Sequence, residues 1–136
     1  MALDARQRTP DSEKITINLG FVDLGHVDLL VQDGFYSNRS DFIRTAIRNQ
    51  LDRHSEVVKK SVVRRRLDLG LRHYSRQDLE QARASGEMLR IQVLGLAVIG
   101  ADVTPDLARE TIASITVLGA LQASPDVKAA LGDRIG

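Results

Sequence analysis

The chain has 136 residues, with 19 Lys and Arg against 18 Asp and Glu and no cysteine. This length fits one ordinary domain or two small ones, and the near-neutral charge excludes attraction to nucleic acid through a diffuse cationic surface. The lack of cysteine excludes disulfides, thiolate metal sites and cysteine catalysis. The sequence has no apolar run near ~20 residues and no apolar signal core, which predicts a cytoplasmic protein without a membrane partner.

The charge is unevenly distributed along the chain. Residues 1–66 contain twelve Lys and Arg against nine Asp and Glu, and residues 67–136 contain seven against nine. A modestly basic first half is typical of a DNA-binding module, whereas a mildly acidic second half indicates a different task. Residues 1–12 are polar, contain Pro10 and predict a flexible arm.

The segment from Lys14 to Leu19 alternates polar and apolar side chains. A period of two over six residues predicts a half-buried strand. One face of this strand would carry Lys14, Thr16 and Asn18, and the other would carry Ile15, Ile17 and Leu19.

Two helices are predicted after this strand. The first has apolar residues at roughly helical spacing from Val22 to Val31 and stops at Gly34. The second has Ser37 as its N-cap and an apolar stripe, and is expected to continue through Val57. A strand and two helices are too little chain to bury a core alone, so we predict an intertwined dimer.

The order strand, helix, turn and helix, with KITINL at its start and GFYSNRSDFIRTAIR at its end, resembles the ribbon-helix-helix superfamily of MetJ/Arc/CopG-like repressors. The resemblance covers residues 13–54. In that family two chains pair their strands antiparallel, and the resulting ribbon enters the DNA major groove, which is wide enough for it. The resemblance therefore implies a homodimer whose partner is double-stranded DNA.

The resemblance also implies which residues contact DNA. The matching positions on the polar face of the ribbon are Lys14, Thr16 and Asn18, whose side chains can bond base edges. The N-terminus of the second helix would hold a backbone phosphate through free N–H groups and the helix dipole. The residues at this N-terminus are Ser37, Asn38, Arg39 and Ser40.

A basic junction, residues 59–66, follows the predicted DNA-binding domain, residues 13–58. Two interpretations of it stay open. It is either a patch that follows DNA phosphates beside the ribbon or a solvated connection between two modules. Its cations are Lys59, Lys60, Arg64, Arg65 and Arg66.

Three short apolar runs with a glycine recur in residues 67–136, at Gly70, Gly95 and Gly119. Each run precedes a helix start marked by an N-cap hydroxyl and an early aspartate. We predict a small solenoid-like module of strand–helix repeats with parallel strands. The alternative is a compact α/β domain in which the repeats are coincidental. The repeat length is similar to that of leucine-rich repeats, but their consensus is missing. The predicted N-caps are Ser75, Thr104 and Ser124.

The last strand of such a module would present an open edge that another copy could cover. We therefore predict that this module mediates self-association beyond the N-terminal dimer. The whole chain is thus predicted as an α+β protein, an intertwined N-terminal dimer followed by the repeat module. The residues predicted to mediate association are Ile115, Val117, Leu118 and Leu121.

The sequence contains no catalytic or cofactor motif that we recognise. The three histidines, His26, His54 and His73, are scattered and have no carboxylate at metal-ligand spacing. Nickel-responsive ribbon-helix-helix repressors carry a histidine-rich ligand set in their C-terminal part, and this chain does not match it. GxGxxG, P-loop and GxSxG patterns are also missing, so we predict no enzyme, metal or cofactor.

These features predict a sequence-specific DNA-binding transcriptional regulator of the repressor kind. One alternative is an antitoxin, whose C-terminal part neutralises a toxin partner; such tails are disordered until bound, whereas residues 67–136 are apolar and punctuated by glycine. Another alternative is a self-assembling scaffold in which the N-terminal unit only dimerises.

Overall fold

The computed structural model describes residues 12–136, so the predicted arm lies, except for Ser12, outside the described residues. The described chain divides into two compact units, residues 12–61 and residues 62–136. The first unit holds helices and an irregular leading segment, and the second holds all the strands. Each unit is described separately.

The N-terminal unit begins with residues 12–20, which form neither helix nor strand in the single chain. The strand predicted from Lys14 to Leu19 is therefore not formed here. A strand requires hydrogen bonds to a neighbouring strand, and the described part of one chain supplies no such neighbour. The helices that follow are α1 (Phe21–Gln32), α2 (Arg39–Arg53) and α3 (Ser55–Arg65), and the last residues of α3, from Val62 on, belong to the second unit.

Helix α1 ends where the sequence predicts, at a glycine. Gly34 adopts φ +86°, and the N–H groups of Gly34 and Phe35 donate to the carbonyls of Val31 and Leu30 at 3.1 and 3.0 Å. This pair of bonds is the Schellman motif, which favours glycine at its left-handed position. The motif reverses the chain direction into the turn before α2.

Two predictions for the second helix are wrong in detail. Its N-cap is Asn38 rather than Ser37, since the Asn38 side chain accepts from the Asp41 N–H at 2.8 Å. The helix also does not continue through Val57, because His54 leaves helical geometry and its N–H donates to the Leu51 carbonyl at 3.1 Å. Most of the predicted basic junction consequently lies on a separate helix, α3.

The C-terminal unit alternates strands and helices, and its three strands form one parallel sheet in the order β1-β2-β3. The predicted N-caps are confirmed: the side chains of Ser75, Thr104 and Ser124 each accept a backbone N–H three residues on. The elements are β1 (Asp68–Tyr74), α4 (Arg76–Ser85), β2 (Leu89–Ile99), α5 (Pro105–Thr111), β3 (Ile112–Gln122) and α6 (Pro125–Ala130).

The three repeat glycines lie side by side across the sheet. Gly70 pairs with Gly95, and Gly95 pairs with Gly119, and all three have positive φ, between 110° and 136°. A Cβ on Gly119 would overlap the carbonyl oxygen of Gly95, and one on Gly95 would overlap that of Gly70. Backbone conformation therefore favours glycine at all three positions, and the closeness of the preceding strand also requires it at Gly95 and Gly119.

One face of the sheet is covered by the helices. Ile91, Val93 and Ile99 alternate along β2 and point to this face, where they pack with buried residues of all three helices. This arrangement is a two-layer core of parallel strands and helices. The helix residues in it are Leu79, Leu107, Ala108, Val127 and Leu131.

The structure places three of the four predicted association residues against the core of their own unit. Ile115 is fully buried, and Val117 and Leu121 are partly buried and pack against the same core. Only Leu118 lies on the opposite face. Part of the edge of β3 is also covered by the chain itself, because the Ile115 N–H and carbonyl bond the Arg134 carbonyl and the Gly136 N–H, each at 2.8 Å.

Candidate nucleic-acid interface

The three residues predicted to contact bases lie in the irregular segment before α1. Lys14, Thr16 and Asn18 are exposed to solvent. The apolar residues that alternate with them, Ile15 and Ile17 among these, are exposed as well. The segment thus presents two chemically different sets of side chains, and both sets are exposed to solvent in the described chain.

The rest of the N-terminal unit also lacks a closed core. Among residues 12–61 only Val27 is buried, with 6% of its surface exposed. Leaving many large apolar side chains in water is unfavourable, so exposure on this scale indicates a surface that another molecule covers. The exposed large apolar residues of this unit are Ile15, Ile17, Leu19, Phe21, Val22, Leu29, Phe35, Ile47, Leu51, Val57 and Val58.

The N-terminus of α2 combines a cap with a carboxylate. The Asn38 side chain accepts from the Asp41 N–H, and the Asp41 carboxylate accepts from the Ser37 N–H at 2.9 Å. The first N–H groups of a helix have no acceptor within the helix, and here these belong to Arg39 and Ser40. Of the predicted phosphate-binding groups, the Ser37 N–H is therefore already used.

Arg39 is held by the preceding helix. Its Nε and Nη2 atoms donate to the two carboxylate oxygens of Asp28 on α1, at 2.8 and 2.9 Å. This bidentate bond lowers the pKa of Asp28 and raises the pKa of Arg39, and the attraction of the opposite charges adds to both shifts. The guanidinium thus joins α1 to α2 in the single chain, a role that the sequence did not indicate.

An aromatic pair supports the same turn. The rings of Tyr36 and Phe42 meet edge to face, with centroids 5.0 Å apart. Tyr36 lies two residues before the Asn38 cap, and Phe42 lies in the first turn of α2. The pair and the Asp28–Arg39 bridge together position the start of α2 in the N-terminal unit.

A comparison with protein families shows which family the chain belongs to. The family model described as the ribbon-helix-helix transcriptional regulator family matches residues 10–128. The chain belongs to this family. No curated protein and no solved structure matches it.

Family membership confirms the resemblance seen in residues 13–54 and carries a coarse function, DNA binding and regulation of transcription. Regulators of this family bind DNA and usually dimerise. The match also extends to residue 128, so it includes all the strands of the parallel sheet. The C-terminal unit is thus part of what this family model describes.

The basic junction of this family member lies on α3 and just after it. Its cations are exposed; Lys59 is 3.7 Å from Glu56, and Arg64 and Arg65 occupy the last turn, where positive charge interacts favourably with the helix dipole. The ion pair with Glu56 and the helix dipole therefore account for some of these cations without any contact to DNA.

The C-terminal unit contains an open cleft of about 600 Å³ between β1 and α4. It is lined by acidic, basic and aromatic side chains, Asp68, Arg72, Tyr74 and Glu87 among them. Sequence analysis did not find it, because the cleft forms only when the outer strand meets its helix. Within residues 12–136 no group of three or more His, Asp or Glu side chains is placed to hold a metal ion, and no helix is long and apolar enough to cross a membrane.

Proposed function

We propose that this regulator is a sequence-specific DNA-binding repressor that reads the major groove with a ribbon made from two chains. In this proposal residues 14–19 of each chain pair antiparallel. The single observation that carries it is the state of this segment: it alternates polar and apolar residues, is exposed to solvent and has no strand partner among the described residues, in a chain that belongs to a ribbon-helix-helix family.

Dimerisation is supported by the energetics of the N-terminal unit. Each large apolar side chain that becomes buried contributes about 1.5–3 kcal/mol. The single chain leaves eleven such side chains exposed in this unit while burying only Val27. Ribbon pairing would place Ile15 and Ile17 on the face opposite the polar residues, where a second chain's helices can cover them.

Base recognition is assigned to Lys14, Thr16 and Asn18. Once the ribbon forms, these alternate residues share its outer face. A lysine ammonium donates to guanine O6 and N7, an asparagine amide can bond adenine N6 and N7, and a threonine offers a hydroxyl or a methyl group. Two copies related by a two-fold axis would read a pseudo-palindromic operator.

Phosphate contacts are assigned to the start of α2. The N–H groups of Arg39 and Ser40 and the hydroxyls of Ser37 and Ser40 are the donors, with the helix dipole favouring an anion. Asn38 acts here by capping the helix rather than by touching the phosphate. Because the Arg39 guanidinium is bound to Asp28, we assign its contact to the backbone N–H.

The C-terminal unit is assigned to assembly. Tethering a second binding unit next to the first raises its effective concentration on adjacent DNA sites. The unit has its own apolar core, unlike the disordered tails with which antitoxins bind toxins. This observation favours the regulator over the antitoxin, and no catalytic step is assigned to the protein.

The test is selection of binding sites from a random DNA pool, followed by binding measurements across a salt series. The wild type should enrich a pseudo-palindromic motif. Lys14→Ala and Thr16→Ala should each weaken binding to that motif by about 1–3 kcal/mol per lost base contact while binding to random DNA changes little.

Lys59→Ala is the matched control, because Lys59 is an exposed lysine outside the ribbon. It should weaken selected and random DNA equally, through the salt-dependent phosphate term alone. Failure to enrich any motif, or equal behaviour of Lys14→Ala and Lys59→Ala, would contradict the proposed readout.

A further inference from the structure

The sheet face opposite the helices is apolar, with exposed leucines on its outer strands and the half-buried Leu94 and Leu96 on its central strand. Leu69 and Leu71 of β1 are 69% and 66% exposed, and Leu118 of β3 is 43% exposed. Strand register places leucines in rows across this face: Leu69 beside Leu94 and Leu94 beside Leu118, then Leu71 beside Leu96 and Leu96 beside Ala120. We call these six residues the leucine face.

A parallel sheet with one bare face is unusual. Sheets of this kind occur almost only with both faces covered, and their strands are accordingly apolar on both sides. Here the helices cover one face, where Ile91 and Val93 lie in the core, while Leu94 and Leu96 of the same strand lie outside that core. The apolar residues on both faces of β2 therefore fit a sheet that is covered on both sides, whereas the outer strands of this face remain exposed among the described residues.

The leucine face is also uncharged. Its six residues carry no polar side chain, and polar residues occur only beyond them, with Arg90 and Gln92 toward the start of β2 and His73 and Gln122 toward the strand ends. A face of this kind packs against another sheet through interdigitated apolar side chains at a spacing of about 10 Å.

The size of the leucine face points to a tethered second copy. Three strands about 4.8 Å apart, with about 3.3 Å per residue and two rows of side chains on the face, give a footprint of roughly 200 Å². Stable independent interfaces bury about 800 Å² on each partner, so this face alone is too small for a free partner. A copy already held by the N-terminal dimer is present at an effective concentration in the millimolar range, where a weak apolar contact suffices.

We infer that the leucine face binds the leucine face of a second copy of this chain, so that two C-terminal units pair sheet to sheet. This inference rests on the proposed N-terminal dimer and deepens the assembly role of the C-terminal unit. It also replaces the strand-edge contact through Ile115, Val117 and Leu121 with a contact through the open face. Leu118 belongs both to the association residues predicted from the sequence and to the leucine face.

The test uses chemical crosslinking of the full-length protein, which contains no native cysteine. Leu96→Cys places a thiol near the centre of the leucine face. Met88→Cys is the matched control, because Met88 is 50% exposed and precedes β2 without belonging to the face. A bismaleimide that spans about 10 Å, the spacing of packed sheets, is added to dilute protein.

Leu96→Cys should give several times more crosslinked dimer than Met88→Cys. Adding Leu71→Glu to Leu96→Cys should abolish the excess, because a buried carboxylate opposes apolar packing, whereas adding Met88→Glu should leave it intact. Equal crosslinking of both thiols, or an excess that survives Leu71→Glu, overturns the inference.

DNA binding by the same samples separates this inference from the proposed function. A protein that crosslinks through Leu96→Cys yet selects no DNA motif retains the sheet pairing and loses the repressor proposal. A protein that selects a motif without the crosslink retains the repressor and loses the sheet pairing.

Discussion

The two units of this chain bury apolar surface in opposite ways. The C-terminal unit closes a core within itself, because three helices lie on one face of a parallel sheet and large side chains such as Leu79 and Ile91 become fully buried. The N-terminal unit consists of helices and an unpaired segment, and it buries only Val27 among its described residues. The comparison shows that apolar content alone does not make a core: a second layer is required, and the described residues of the N-terminal unit do not supply one.

The largest expected effect concerns the glycine row of the self-contained unit. Gly119→Ala should destabilise the C-terminal unit by about 3 kcal/mol or more, since it combines positive φ with overlap of a neighbouring backbone. Gly70→Ala has positive φ and no atom near the new Cβ, so it should cost about 1–2 kcal/mol.

Urea denaturation checks this difference. The chain has two tyrosines and no tryptophan, so a Tyr36→Phe background leaves Tyr74, which packs against the C-terminal core, as the only tyrosine signal. Equal losses of unfolding free energy in Gly119→Ala and Gly70→Ala would mean that overlap with the neighbouring strand's backbone adds nothing to the cost.

The next effect tests whether the two cores differ in their dependence on a second chain. Leu79→Ala removes a fully buried side chain and should cost about 2–5 kcal/mol, and this loss should be the same at every protein concentration because Leu79 packs within its own chain. Ile47→Ala removes an apolar side chain that is exposed in the single chain. If Ile47 contacts a second chain, this variant should lower the unfolding midpoint of the N-terminal unit, and the midpoint should fall further as the protein is diluted.

This pair is measured by unfolding at several protein concentrations, with Tyr36 as the signal for the N-terminal unit in a Tyr74→Phe background. If Ile47→Ala leaves the midpoint and its concentration dependence unchanged, the exposed helix face is not a dimer contact.

Helix caps give a smaller and matched comparison. Asn38→Ala and Ser124→Ala each remove a side chain that accepts a backbone N–H at a helix start, and each should cost about 1 kcal/mol in its own unit. Only Asn38→Ala should also weaken DNA binding, because it disturbs the proposed phosphate-binding end of α2. The check is thermal unfolding together with a DNA titration, and a loss of DNA binding in Ser124→Ala would contradict the separation of roles.

The smallest effect concerns two carboxylates with lowered pKa. The Arg39 guanidinium lowers the pKa of Asp28 by hydrogen bonding and charge. The backbone N–H and the hydroxyl of Ser75 chiefly lower the pKa of Asp78, with a minor contribution from the charge of His73. Both folded-state pKa values lie below the ordinary value of 3.8, so each carboxylate stabilises its unit above that pH and loses this contribution as the pH falls through the folded pKa.

Salt should distinguish the two carboxylates. The pKa of Asp28 should rise toward its ordinary value in concentrated salt because its partner is a charge on the surface, whereas the pKa of Asp78 should change little. Carboxyl titration by NMR at low and high salt measures both, and a parallel shift of the two pKa values would contradict these causes.

Some of the candidate DNA site could be predicted from local sequence. The alternation of Lys14, Thr16 and Asn18 with apolar residues and the glycine that ends α1 are local patterns, and a family match supports their interpretation. The Asp28–Arg39 bridge could not be predicted, because it joins residues that only the turn between α1 and α2 brings together. The shift of the N-cap from Ser37 to Asn38 reflects two neighbouring residues with similar capping ability.

By itself the sequence determined the alternation of strands and helices in residues 67–136 and the N-caps of those helices, since period, glycine and capping residues act within a few neighbours along the chain. Only the tertiary structure decided which sheet face the helices cover. Neighbouring residues of a strand point to opposite faces of the sheet. Because both faces of β2 are apolar, the sequence pattern does not indicate which face the helices cover. The helices therefore placed Ile115 inside the unit and left the leucine face open.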